Sequence, residues 1–101
     1  MKVIWAPRAM ARAAEIAEYI AADRPGAARA WVEQVFAKAA TLRRYAGRGG
    51  KVPELDRDDI RQVLHGKYRI IYRIDPKRVV VLTVRHSRQQ WDPRDVVTPD
   101  A

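Results

Sequence analysis

Residues 60–88, IRQVLHGKYRIIYRIDPKRVVVLTVRHSR, read as three antiparallel strands joined by two short turns. His65-Gly66-Lys67 centres the first turn, because Gly66 can take the positive φ that a tight hairpin needs. Asp75-Pro76-Lys77 marks the second. In the middle strand Tyr68, Ile70, Tyr72 and Ile74 alternate with Arg69, Ile71, Arg73 and Asp75, the period of two that a half-buried strand requires. One face is therefore core and the other basic. The last strand sets Val79, Val81 and Thr83 against Val80, Leu82 and Val84, too evenly apolar to choose a face but rich in β-branched residues.

The stretch also carries much of the charge. Arg61, Lys67, Arg69, Arg73, Lys77, Arg78, Arg85 and Arg88 stand against Asp75 alone, which accounts for seven of the chain's formal +8. A basic balance placed on a sheet points to a shaped surface for an anionic partner. Nucleic acid, ribosome, an acidic protein surface and an acidic inhibitor are all open on this reading.

Working outward, Lys2-Val3-Ile4-Trp5 is β-prone and stops at Ala6-Pro7, where proline suits the first turn of a helix. Met10, Ala13, Ile16, Ala17 and Ile20 then recur at helical spacing up to about Asp23. Arg24-Pro25-Gly26 breaks the run. Ala28, Val32, Val35, Ala39 and Leu42 form a second stripe, flanked by Trp31 and Phe36. A helical hairpin ahead of a meander predicts an α+β, two-layer fold: the N-terminal strand and helical hairpin pack on one face of a mainly antiparallel four-stranded sheet. Residues 45–59, YAGRGGKVPELDRDD, hold three glycines, a proline and four acidic residues, and read as a long surface connection.

With 101 residues, 48% hydrophobic and 32% charged, the chain is expected to form a single domain over residues 1–101. The absence of cysteine excludes disulfides and thiolate chemistry, and scattered histidines and carboxylates argue against a metal site or cofactor. No apolar run reaches membrane-spanning length, so a cytoplasmic protein is expected.

This order of elements resembles the RelE/ParE superfamily of type II toxin–antitoxin toxins, closer to the ParE branch. The resemblance rests on VIWAPRA (3–9), AEIAEYIAADRPGAARAWVE (14–33), Val52-Pro53-Glu54-Leu55, IRQVLHGKYRIIYRI (60–74) and VVVLTVRHSR (79–88). It implies one of two activities. RelE-like members are ribosome-dependent mRNA endonucleases, which need cationic and acid/base groups converging on one phosphate. On that branch Arg61, Arg69, His86 and Arg88 would be catalytic. Val63, however, stands where a second basic residue is expected, and Trp91 cannot supply the proton that a tyrosine would. His86 reads either as an acid/base or as a strand-end histidine bonding to backbone.

ParE-like members inhibit DNA gyrase, and on that branch no residue is catalytic. Arg69, Arg73, Arg85, His86, Arg88 and Trp91 would then contact the target. Either branch implies a cognate antitoxin in a hetero-oligomer, folding across the helix hairpin and adding a strand or helix over apolar sheet surface that includes Ile71, Val79 and Val81.

Overall fold

In the computed structural model, which describes residues 1–89, the chain runs β1 (Lys2–Trp5), α1 (Pro7–Ala21), α2 (Pro25–Ala40), two single 3-10 turns (Thr41–Arg43 and Ala46–Arg48), β2 (Gly50–Lys51), β3 (Ile60–His65), β4 (Tyr68–Ile74) and β5 (Arg78–His86). The sheet order is β1-β5-β4-β3-β2. All pairs are antiparallel except β1 with β5. Both expected hairpins form, and Gly66 carries φ +57° in the first of two loop positions. Residues with Cβ rarely adopt that value.

The sheet has five strands where four were expected. The fifth, β2, is two residues from the glycine-rich loop, paired through Gly50 with Gln62 and Lys51 with Arg61. Gly49 makes the approach possible. A Cβ there would stand 2.6 Å from the Gln62 carbonyl oxygen and nearer still to the Tyr72 hydroxyl.

The helix hairpin covers one sheet face as the patterning predicts. Ala9, Ala13, Trp31, Val35, Ala39 and Leu42 pack with Val63, Ile70, Tyr72, Val79, Val81 and Val84 in one buried cluster. Alanines at the helix–helix contact let the axes approach, while Trp31 reaches the sheet and meets Tyr68 edge-on at 5.2 Å. Phe36 lies over Trp5 with ring centroids 4.3 Å apart.

The other face is covered as well, which corrects the expectation of open apolar surface there. Val52 from the 45–59 loop, with Leu55 beside it, closes over Ile60, Ile71, Val80 and Leu82 in a second cluster. Ile71 is fully buried beneath this loop, and Val79 and Val81 lie on the helix side. Burying an apolar face with the chain's own loop removes its cost in water without a partner.

A bulge explains why the last strand offered no face from its sequence. Ile71 pairs with Thr83 but Tyr72 pairs with Val81, so Leu82 is the extra residue. Below the bulge Val79 and Val81 face the helices; above it the alternation resets, and Val84 faces them instead of Thr83.

Candidate functional site

Arg69 lies on the loop-covered face and is only 6% exposed. Both of its terminal nitrogens donate to the Glu54 carboxylate, at 3.0 and 2.9 Å, and one also donates to Gln62 Oε1 at 3.2 Å. This two-pronged pair is the strong geometry for arginine with a carboxylate. It fastens the loop over the sheet, so Arg69 is not part of an open basic face.

Arg61 is likewise engaged by the loop, through Nε to the Asp58 carbonyl at 2.8 Å and one terminal nitrogen to the Gly49 carbonyl at 3.2 Å. Beside it the Tyr72 hydroxyl donates to the Ala46 carbonyl at 2.6 Å and accepts the Gly49 N–H at 3.1 Å. Burial pushes the Tyr72 phenol above its ordinary pKa. Arg73 forms a two-pronged pair with Asp75 at 2.7 and 3.1 Å, and Arg78 adds a contact to the same carboxylate at 3.2 Å. The Arg73 hydrogen bond, helped by that of Arg78, holds the Asp75 carboxyl below its usual range.

His86 occupies the far end of β5, on the helix side. Its ring meets Tyr68 edge-on at 5.4 Å, and its Nδ1 accepts the Arg88 backbone N–H at 3.1 Å, which makes Nδ1 the acceptor in the neutral ring. Here an open groove of about 380 Å³ runs between α1 and the end of the meander, lined by Glu15, Ile16, Tyr19, Tyr68, His86 and Gln89. Lys67 and Arg88 are exposed at this same end, where the Ser87 N–H donates to the Lys67 carbonyl at 2.7 Å. Trp91, expected as a contact, lies outside the described residues.

The arginine and the histidine of the expected acid/base set are therefore separated. Arg69 pairs across the strands with Arg85, and Tyr68 with His86. Successive side chains point to opposite faces, so Arg69, Arg73 and Arg85 share the loop side while His86 belongs to the helix side. The sheet itself stands between Arg69 and His86.

Reading the sequence missed Glu54, Tyr72 and Gly49 as anchors, and Glu15, Tyr19 and Tyr68 as walls of the groove. For Glu54 a signal was present: Val52 and Leu55 flank it three residues apart, a pattern for a loop that docks. A second apolar groove of about 190 Å³ follows the helix hairpin, lined by Met10, Ala13, Ala14, Ala17, Val32 and Phe36. Among the described residues no group of three or more His, Asp or Glu side chains is placed to hold a metal ion, and no helix is long and apolar enough to cross a membrane.

Residues 3–91 match the family model described as the ParE toxin of the type II toxin–antitoxin system parDE. A curated relative, the candidate toxin Y4kP of Sinorhizobium fredii, is 37% identical over 95 residues, covering 89% of this chain and 92% of its own. Among solved structures, the chromosomal ParDE toxin–antitoxin system of P. aeruginosa superposes with a TM-score of 0.73 at 18% identity, over 85% of this chain and 95% of that one. The RelBE2 toxin–antitoxin complex of Mycobacterium tuberculosis gives 0.56 at 28% identity, over 84% and 88%.

Proposed function

This chain belongs to the ParE toxin family of type II toxin–antitoxin systems, and from that premise we propose that it inhibits DNA gyrase and is neutralised by a cognate antitoxin. One observation carries the choice against RNA cleavage. Metal-free cleavage needs a base, a cation and an acid around a single phosphate. Here Arg69 is closed by Glu54 on one face of the sheet, Arg61 is held by loop carbonyls, and His86 sits on the other face. A surface that binds and arrests a partner needs no such convergence. Lys67 and Arg88, exposed beside His86 at one end of the meander, supply its cationic contact.

The test is DNA supercoiling by purified gyrase, with and without the chain freed of antitoxin. Inhibition with accumulation of cleaved DNA is expected, and Arg88→Ala should weaken it without loss of folding. Ribosome-dependent mRNA cleavage with no effect on gyrase overturns the reading.

The antitoxin's place follows from the apolar surface that remains after the loop has closed one sheet face. The groove between Met10 and Phe36 on the helix hairpin is the apolar surface that an amphipathic segment would fill. Hydrogen exchange should show α1 and α2 protected on antitoxin binding, while the loop-covered face, already closed, changes little. Protection confined to the loop side contradicts this placement.

A further inference from the structure

A second set of cations lies away from both grooves. Residues 34–53 contain Lys38, Arg43, Arg44, Arg48 and Lys51 and no acidic residue, and residues 1–14 contain no acidic residue either. The fold brings these stretches together. The Met1 nitrogen donates to the Arg43 carbonyl at 2.9 Å, and Met1, Lys2, Val3, Ala40 and Arg43 line a depression of about 450 Å³. Arg48 reaches the Thr41 hydroxyl at 3.4 Å. Lys51 is neutralised by Asp58 at 2.7 Å. Among the described residues no carboxylate pairs with Lys2, Lys38, Arg43, Arg44 or Arg48.

Cations are expected where a helix ends, and Lys38 in the last turn of α2 fills that role. Arg43 closes the 3-10 turn that continues α2, Arg44 follows it and Arg48 ends the next 3-10 turn, so one helix end does not account for the whole set. Between them Tyr45 stands 61% exposed. Tyr45 thus sets an aromatic ring in water between arginines, with none of the carboxylate neighbours that Tyr19 has in Glu15, Glu18 and Asp23 along α1 and its end. This arrangement matches the requirements of an unpaired nucleic-acid strand: cations along the phosphates and a ring on which a base stacks. An acidic polypeptide folding onto the surface would need a row of apolar pockets. Of the five exposed large apolar side chains among the described residues, only Tyr45 and Met1 adjoin these cations in the chain; Met10, Tyr19 and Leu64 lie on α1 and β3.

We propose that Lys2, Arg43, Arg44, Arg48 and Tyr45 form a docking surface for single-stranded nucleic acid. Lys2 pairs with Arg78 at the start of β5, and His86 ends that nine-residue strand. At about 3.3 Å per residue the two surfaces are therefore separated by the length of the sheet. The surface is independent of the gyrase reading, and a target held at the His86 end leaves it open.

Fluorescence anisotropy of a labelled oligothymidylate of about twelve nucleotides, mixed with the full chain across a salt series, tests this. Single strand should bind more tightly than duplex of equal length, with affinity falling as salt rises. Arg43→Ala with Arg44→Ala should reduce the logarithmic salt slope by about 1.4, at about 0.7 for each single-strand phosphate no longer neutralised. Tyr45→Ala should weaken single-strand binding by about fivefold or more, and Tyr45→Phe should restore it. The pair Arg24→Ala and Arg29→Ala, exposed at the start of α2, removes equal charge elsewhere and should have less effect. Circular dichroism confirms that each variant is folded. An equal loss from the Arg24 and Arg29 pair, duplex binding as tight as single-strand binding, no effect of Tyr45→Ala, or no binding near 50 mM salt would each overturn the proposal.

Discussion

Tyr72 joins three parts of the molecule through one oxygen. Its ring lies in the helix-side core, while its hydroxyl spans the Ala46 carbonyl and the Gly49 N–H of the loop. Tyr72→Phe keeps the ring and leaves two backbone groups without their partner, at an expected cost of about 1–3 kcal/mol in urea unfolding. The pH dependence has a definite sign. The phenol is raised in the folded state, so its contribution is complete below pH 10 and is lost as pH rises from there through the folded value. Tyr72→Phe should accordingly flatten the alkaline limb of the stability curve. Glu54→Ala acts at the neighbouring anchor. It leaves the buried Arg69 guanidinium without its carboxylate and should cost about 1.5–3 kcal/mol, read as a lower thermal midpoint. Val52 and Leu55 hint that the loop docks, but neither anchor's partner was legible: alternation places Tyr72 inward and Arg69 outward, while a hydroxyl's reach and a loop's closure depend on partners 23 and 15 residues distant.

At the scale of elements, the loop over residues 45–59 is a third layer rather than a connection. Its glycines admit a short edge strand, and its Val52 and Leu55 cover apolar residues that would otherwise face water. Composition reads such a segment as surface because most of its residues are exposed. The informative ones are the few apolar side chains between charges. Val52→Ala should cost about 2 kcal/mol, from removal of two methyl groups at a fully buried site. It should also speed hydrogen exchange in β2 and the outer half of β3 before the helices respond. Equal acceleration in α1 would mean that the loop and the helix layer open as one unit. Both helices and both hairpins were legible, since periods of 3.6 and 2 and the turn residues are local signals. The bulge at Leu82 was not, because a strand with valine or leucine at nearly every position gives alternation nothing to read.

Over the whole molecule the charges are sorted more than their total suggests. Four of the five acidic residues from Glu54 to Asp75 are used internally: Asp75 takes Arg73 and Arg78, Asp59 takes Arg57, Asp58 takes Lys51 and Glu54 takes Arg69. Hydrogen bonds from Arg73, Arg57 and Lys51 hold Asp75, Asp59 and Asp58 below the usual carboxylate range. Groups lowered in the folded state add stability above their unfolded value of 3.8 and lose it as pH falls through the folded value. Protonation also raises a net charge that is already +8, so self-repulsion grows over the same window. Stability should therefore hold from neutral pH down to about 4.5 and fall steeply below 3.8. Asp75→Asn separates the two effects. At pH 7 it should lower stability by roughly 0.5–1 kcal/mol, the scale of a partly exposed ion pair. Once the pH has fallen through its folded value the wild-type carboxyl is itself protonated, and the two curves should converge. A difference that persists at the acid end of the curve, with no convergence as pH falls, would assign the role of Asp75 to the shape of the turn, with the paired arginines held by geometry rather than by charge.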